Sequence, residues 1–187
     1  MFKDLILKNR SYRRFYNDYK VDRGTLMELV ELARLSPSAS NLQPLKYYIS
    51  CDNVINEKIF SYLGWAGYLQ DWPGPRKNER PSAYIIILGD KTINKNIDCD
   101  HGIAAQTMLL GAVEKGLGGC IIASVERDKL RKSLNIPIHL DILLTVVLGK
   151  PKEIVKIEAL ENDDVKYWRD AEGVHHVPKR ALQEIII

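Results

Sequence analysis

The sequence predicts a β-sheet covered by helices, in the α/β or α+β class. Three observations carry this. Residues 84–89 and 142–148 are apolar, β-branched-rich runs, the pattern of strands buried on both faces. Residues 101–115 are helical in composition and apolar on most sides, so that helix belongs in a core or an interface. Helix-like and strand-like segments alternate along the chain, without internal repeats. With 187 residues, 45% of them hydrophobic, the chain is long enough to bury one sizeable core as a single domain, 1–187.

Residues 1–9 form a short amphipathic helix candidate with Phe2, Leu5 and Ile6 on one side. Leu26, Leu29, Val30 and Ala33 recur at helical spacing, with Asp22 or Thr25 as the cap and Pro37 as the stop. A short strand is expected at 46–51 and one or two short helices at 54–69. Residues 71–81 carry three prolines and a glycine and read as a loop. After the apolar helix, Gly116, Gly118 and Gly119 mark its end, with a strand at 120–123 and a short helix at 127–134 before Pro137. From residue 151 onward the composition turns polar and acidic. This extension, 151–187, has too little apolar content for its own core, so it is expected to rest on the body or on a second subunit.

Composition also narrows function. The net charge of +3 comes without blocks of like charge, which argues against nucleic acid as a partner. No apolar run approaches the roughly 20 residues of a membrane helix. The first fifteen residues do not read as a signal peptide, and a cytoplasmic location is expected. Cys51, Cys99 and Cys120 are widely spaced and read as reduced, buried thiols. No metal-binding spacing stands out: His175 and His176 are adjacent, and on a strand they would face opposite ways. A GxSxG elbow and a GxGxxG loop are both missing, so neither a hydrolase triad nor a Rossmann site is expected.

Three polar clusters have no evident core role. Arg10-Ser11-Tyr12-Arg13-Arg14-Phe15 offers guanidinium forks and a hydroxyl suited to a phosphate, though alone it reads rather as a solvated basic patch. Residues 36–44, SPSASNLQP, place small hydroxyls and two carboxamides between prolines. Carboxamides can pair with a ring that presents both donors and acceptors, yet a plain loop would look the same. Pro178-Lys179-Arg180 is a second cationic site, or a solvated tail.

Taken together, RSYRRF, SPSASNLQP, the apolar helix ending in EKGLGGC and the late Lys-Arg pair resemble the FMN-dependent nitroreductases, in order and approximate spacing. The resemblance implies an α+β fold (an α/β sandwich) with a central mixed sheet flanked by helices, an intertwined homodimer, and FMN at the subunit interface. It implies that Arg10 and Ser11 hold the phosphate and ribityl end, and that Arg13 and Asn41 lie at the pyrimidine edge. Pro37, Ser38 and Ala39 would come from the partner subunit. Ala123 and Ser124 would present backbone to the flavin N5 side, and Lys179 and Arg180 would close on the phosphate. Where many members carry a further arginine before the one matching Arg10, this chain has Asn9. The implied activity is hydride transfer from NAD(P)H through FMN to a small organic acceptor such as a nitroaromatic or a quinone, with no protein nucleophile and no metal. The alternatives are reductive dehalogenation or flavin breakdown on the same fold, or FMN binding without turnover. Tyr68 and Trp72, in and beside the proline-rich loop, are the expected acceptor contacts.

Overall fold

The computed structural model describes residues 1–187. Its main sheet has five strands: β1 (Phe15–Tyr16), β2 (Leu45–Ser50), β3 (Ala83–Asp90), β4 (Gly118–Ile122) and β5 (Leu140–Pro151). The order is β1-β5-β3-β2, with β4 also paired to β5, and every ladder is antiparallel. Parallel pairing enters at the isolated bridge between Ser11 and Gly119 and in a second, smaller sheet.

All eight residues of β3 are buried, as its unbroken apolar run requires. Strand alternation sends Ile85 and Ile87 to one face and Tyr84, Ile86 and Leu88 to the other. The first face packs on α2 (Arg23–Arg34) and α4 (Asp100–Glu114), through Leu26, Leu29, Met108 and Leu109. The second packs on α3 (Asn53–Phe60) and α5 (Arg127–Leu134), through Ile59 and Leu130. Each fully buried aliphatic side chain of this kind contributes about 1.5–3 kcal/mol over an exposed one. The result is a sandwich of helices on both faces of the sheet.

Local chemistry sets the helix ends. Asp22 caps α2 by accepting from the Thr25 amide at 2.8 Å, and Asp52 caps α3 by accepting from the Ile55 amide at 2.9 Å. Gly116 ends the α4 segment at φ +69, a conformation that side chains with a Cβ rarely adopt. α1 (Phe2–Lys8) lies at the N-terminus.

Three sequence expectations are corrected. The helical reading of 54–69 holds only to Phe60; beyond it the chain turns, with Ala66 at φ 36. Helix α4 is less uniformly buried than its composition suggested: Gln106 and Glu114 are exposed, and Ile103, Leu110 and Val113 are half-buried. Cys120 is buried and Cys51 half-buried, but Cys99 is exposed just before α4. The polar extension carries a small sheet: β6 (Val155–Ala159), β7 (Trp168–Arg169) and β8 (His175–Lys179) pair in the order β6-β8-β7, followed by α6 (Leu182–Ile185). Charge holds that sheet where apolar area is scarce. His176 on β8 bonds Glu158 on β6 at 2.6 Å and Asp170 beyond β7 at 2.9 Å, while its ring lies flat on Trp168, 4.9 Å away and 4° from parallel.

Candidate functional site

The RSYRRF segment leaves α1 and runs beside the start of β4, where the Tyr12 amide donates to the Gly119 carbonyl at 3.0 Å. This pairing sorts the three arginines. Arg14 turns away and forms a two-pronged pair with Glu79, at 2.7 and 3.0 Å, joined by Lys152 at 3.1 Å. Those bonds, Arg14 first, hold the Glu79 carboxyl at about 2. Arg10 and Arg13 instead line a cavity of about 290 Å³ together with Ser11 and Lys179.

The cavity carries three cationic side chains, and no Asp or Glu lines it. Arg10 donates one bond, to the Ile6 carbonyl at 2.7 Å, and its Nε is buried without a partner. Neither Arg10, Arg13 nor Lys179 forms an ion pair, whereas Arg14, Arg169 and Arg180 each do. Unpaired cations converging on one cavity suit an anion, which would neutralise them through charge-assisted bonds.

A second cavity of about 260 Å³ adjoins the first, and Arg13 and Ile121 line both. Ala123, Ser124 and residues 64–67 form its wall. The Ser124 carbonyl accepts from the Gly64 amide at 2.8 Å, and the Ala123 carbonyl accepts from Arg127 at 3.1 Å. Gly64 allows this close approach: a Cβ would meet Ser124 Oγ at 2.4 Å and force Ser124 to shift. With both carbonyls engaged, the amide N–H groups of Ala123 and Ser124 are left without an acceptor in the chain. They are donors available to a ligand.

The structure thus brings together Arg10, Ser11, Arg13, Ala123, Ser124 and Lys179. It does not bring Arg180 to them. Arg180 follows Lys179 at the end of β8 and faces the other way, pairing with Asp163 at 2.8 Å and Glu184 at 3.6 Å. Nor does the loop of Pro37, Ser38, Ala39 and Asn41 reach the cavity of its own chain. Pro37 and Ser38 line a separate cavity beside Asp100 and Tyr47. Asn41 ends a short 3-10 turn, Ala39–Asn41, and its side-chain oxygen accepts from Gln43 at 3.1 Å. Tyr68 and Trp72 also stand outside both cavities: Tyr68 touches a lining residue, Tyr167, whereas Trp72 touches Arg169, which lines neither. The Tyr68 ring meets that of Tyr167 at 5.0 Å, and the Trp72 ring lies 4.7 Å from the Arg169 guanidinium.

Tyr167 and His175 also line this cavity, and the sequence did not place them at the site. The Arg13 guanidinium lies 5.0 Å from the Tyr167 ring centre, and the Tyr167 and His175 rings are 5.1 Å apart. His175 is fully buried, and burial, with Arg13 and Arg169 alongside, pushes its imidazole down to about 4. The adjacency of His175 and His176 did foretell that they would face opposite sides of one strand.

Residues 6–150 match the model of the nitroreductase family. The chain belongs to this family. It is therefore an oxidoreductase of a family that is FMN-dependent. Among curated relatives, it is 24% identical over 193 residues to MhqN of Bacillus subtilis (strain 168), a candidate NAD(P)H nitroreductase, covering 81% of this chain and 89% of that protein. Among solved structures, a nitroreductase family protein from Streptococcus pneumoniae TIGR4 superposes with a TM-score of 0.71 at 18% identity, covering 100% and 99% of the two chains. An FMN-dependent nitroreductase from Clostridium difficile R20291 superposes at 0.64 with 23% identity, covering 84% and 91%. These likenesses establish the nitroreductase-like fold. Tyr167, His175 and Lys179 lie beyond the residues that match the family model. No helix is long and apolar enough to cross a membrane.

Proposed function

We propose that this nitroreductase-family chain carries FMN in the joined cavities around Arg13 and uses it to move hydride from NAD(P)H to an organic acceptor such as a nitroaromatic or a quinone. One observation carries the reading: three unpaired cations, Arg10, Arg13 and Lys179, line a cavity free of carboxylates. The donor set suits FMN. Arg10, Ser11 and Lys179 would hold the phosphate and ribityl end through charge-assisted bonds. Arg13 would stand at the pyrimidine edge, where its charge favours the reduced state. The unengaged amides of Ala123 and Ser124 would donate toward the ring.

FMN when bound supplies the hydride acceptance and release; the chain's own residues bind, orient and tune it. No nucleophile or general base is required of them. The loop of Pro37, Ser38, Ala39 and Asn41 stands apart from its own chain's cavity, which supports a homodimer in which each loop serves the neighbouring site. The half-buried Ile103, Leu110 and Val113 on α4 offer apolar area for such an interface.

The test is reconstitution. Apo-protein titrated with FMN should quench the flavin fluorescence stoichiometrically, and sedimentation should give about twice the chain mass. Absence of quenching would remove FMN from the cavity, and a flavin-loaded monomer would remove the partner loop.

A further inference from the structure

The cations around the candidate site are held in two different ways. Arg14 is neutralised by Glu79, Arg169 by Glu153 and Arg180 by Asp163. Arg13 has no such partner. Glu153 is the acid beside it, yet that carboxylate accepts from the backbone amides of Arg13 and Arg14 and pairs with Arg169 at 3.0 Å. The Arg13 guanidinium meets only neutral groups: the Ser11 carbonyl at 3.3 Å, the face of Tyr167, and Nε2 of His175 at 3.3 Å.

The His175 contact has a fixed polarity. Arginine only donates, so Nε2 must accept. The one ring proton of a neutral imidazole then sits on Nδ1, which is buried without a partner. The groups facing this ring are Arg13, Arg169, Tyr167 and the adjacent His176, and its depressed ionisation agrees with a ring that stays neutral among cations.

We propose that His175 is a positioning residue for Arg13: a neutral imidazole, brought in by the C-terminal extension, that holds the guanidinium toward the cavity without cancelling its charge. A carboxylate at this place would fix Arg13 equally well but neutralise it, and the anion-facing charge would be lost. The proposal rests on the reading that Arg13 faces FMN. It adds that the flavin's potential is set partly by β8, outside the residues that match the family model.

The experiment has two arms. In the first, the midpoint potential of bound FMN is measured for wild type, Arg13→Gln, His175→Phe, His175→Gln and the double variant Arg13→Gln/His175→Phe. His175→Phe should lower the potential by at least half of the shift that Arg13→Gln produces. The double variant should lie no lower than Arg13→Gln alone, and His175→Gln, which keeps an acceptor, should recover most of the loss. A merely structural role would reduce thermal stability and leave the potential in place. An unchanged potential in His175→Phe, or additive shifts in the double variant, would overturn the proposal.

In the second arm, nitrogen-15 NMR of the wild-type imidazole reads the tautomer directly, whether or not any variant folds. It should report a proton on Nδ1 and no titration between pH 5.5 and 8. A proton on Nε2, or a protonation step in that range, would overturn the proposal. Wild-type protein that binds no FMN would overturn the reading of the cavity and this assignment with it, and the tautomer would then show whether the His175–Arg13 contact itself exists.

Discussion

Asp100, the first residue of α4, grips the loop that precedes β2 through Ser38: its Oδ2 accepts the Ser38 hydroxyl at 2.6 Å, and its Oδ1 accepts the Ala39 amide at 3.0 Å. Ser38 Oγ accepts the Gln43 amide in turn at 2.9 Å. The loop needs such a clamp, because Ser40, Asn41 and Gln43 all adopt positive φ, which costs a residue with a Cβ of order 1–2 kcal/mol. The Ser38 hydroxyl proton is therefore committed within its own chain. Asp100→Ala should destabilise the fold by about 1–2 kcal/mol, because two part-buried donors lose their acceptor. Hydrogen exchange should accelerate at residues 36–43 while the rest of α4 stays protected. Unchanged protection at Ala39 would show that Asp100 does not hold the loop.

The cation cavity makes a contrast between neighbouring residues. Arg10→Ala and Lys179→Ala should each weaken FMN binding by about tenfold, since charge-assisted bonds are worth about 1.5–3 kcal/mol. Arg180→Ala should leave the affinity within about twofold, because Arg180 is spent on Asp163 and Glu184; a factor of two is about 0.4 kcal/mol. Fluorescence titration of apo-protein separates the three. Equal losses at Lys179 and Arg180 would mean that both cations reach the phosphate.

The extension should respond to pH. Bonds to Asp170, and then to Glu158, raise the His176 imidazole above its ordinary value. A raised folded value means that this contribution is fully present below the ordinary imidazole range, near pH 6.5, and is lost as pH rises through the folded value. His176→Asn should therefore lower Tm more at pH 5.5 than at pH 9. A difference that is constant across that range would mean that the ring's charge does not hold the sheet.

What the sequence disclosed, and what it did not, follows from where the stabilising information lies. Strand β3 was legible because a strand buried on both faces must be apolar throughout, and α2 because Leu26, Leu29 and Ala33 repeat at helical spacing. Strand β1 is two residues long, too short for any periodicity. Strands β6 to β8 are tied by His176, Glu158, Asp170 and Arg169, charged residues that in a sequence resemble a solvated tail. Residues 61–69 have a helical look, but Gly64 must approach Ser124 and the chain turns instead. At the site, Arg10, Ser11, Arg13 and Lys179 could be named from the resemblance. The turning away of Arg14 and Arg180 depends on acids, Glu79 and Asp163, distant in sequence. Tyr167 and His175 lie in the tail outside its one motif, the late Lys179-Arg180 pair.

Tyr68 and Trp72 should separate in function. Tyr68 is half-exposed and its ring meets that of Tyr167, a cavity residue, at a 56° tilt, so Tyr68→Ala should change the acceptor step by several-fold for one acceptor relative to another. Trp72 lies against Arg169, so Trp72→Ala should act on stability, by about 0.5–2 kcal/mol of lost cation–π contact and packing, with the acceptor profile kept. Stopped-flow reoxidation with a nitroaromatic and a quinone, alongside thermal melts, reads both. Identical acceptor profiles for wild type and Tyr68→Ala would leave the 61–81 segment as a connection only.

The most direct measurement is an anaerobic titration of the FMN-loaded protein with NADH and with NADPH, followed at the visible flavin band with no acceptor present. In the proposed function donor and acceptor visit one flavin face in turn, so at least one nicotinamide should bleach the band alone, and steady-state kinetics should be ping-pong. Arg13→Gln should still bind FMN but bleach more slowly, by about tenfold, as expected for losing on the order of 1–3 kcal/mol of partly screened charge stabilisation. A wild-type flavin that neither NADH nor NADPH bleaches would contradict the account.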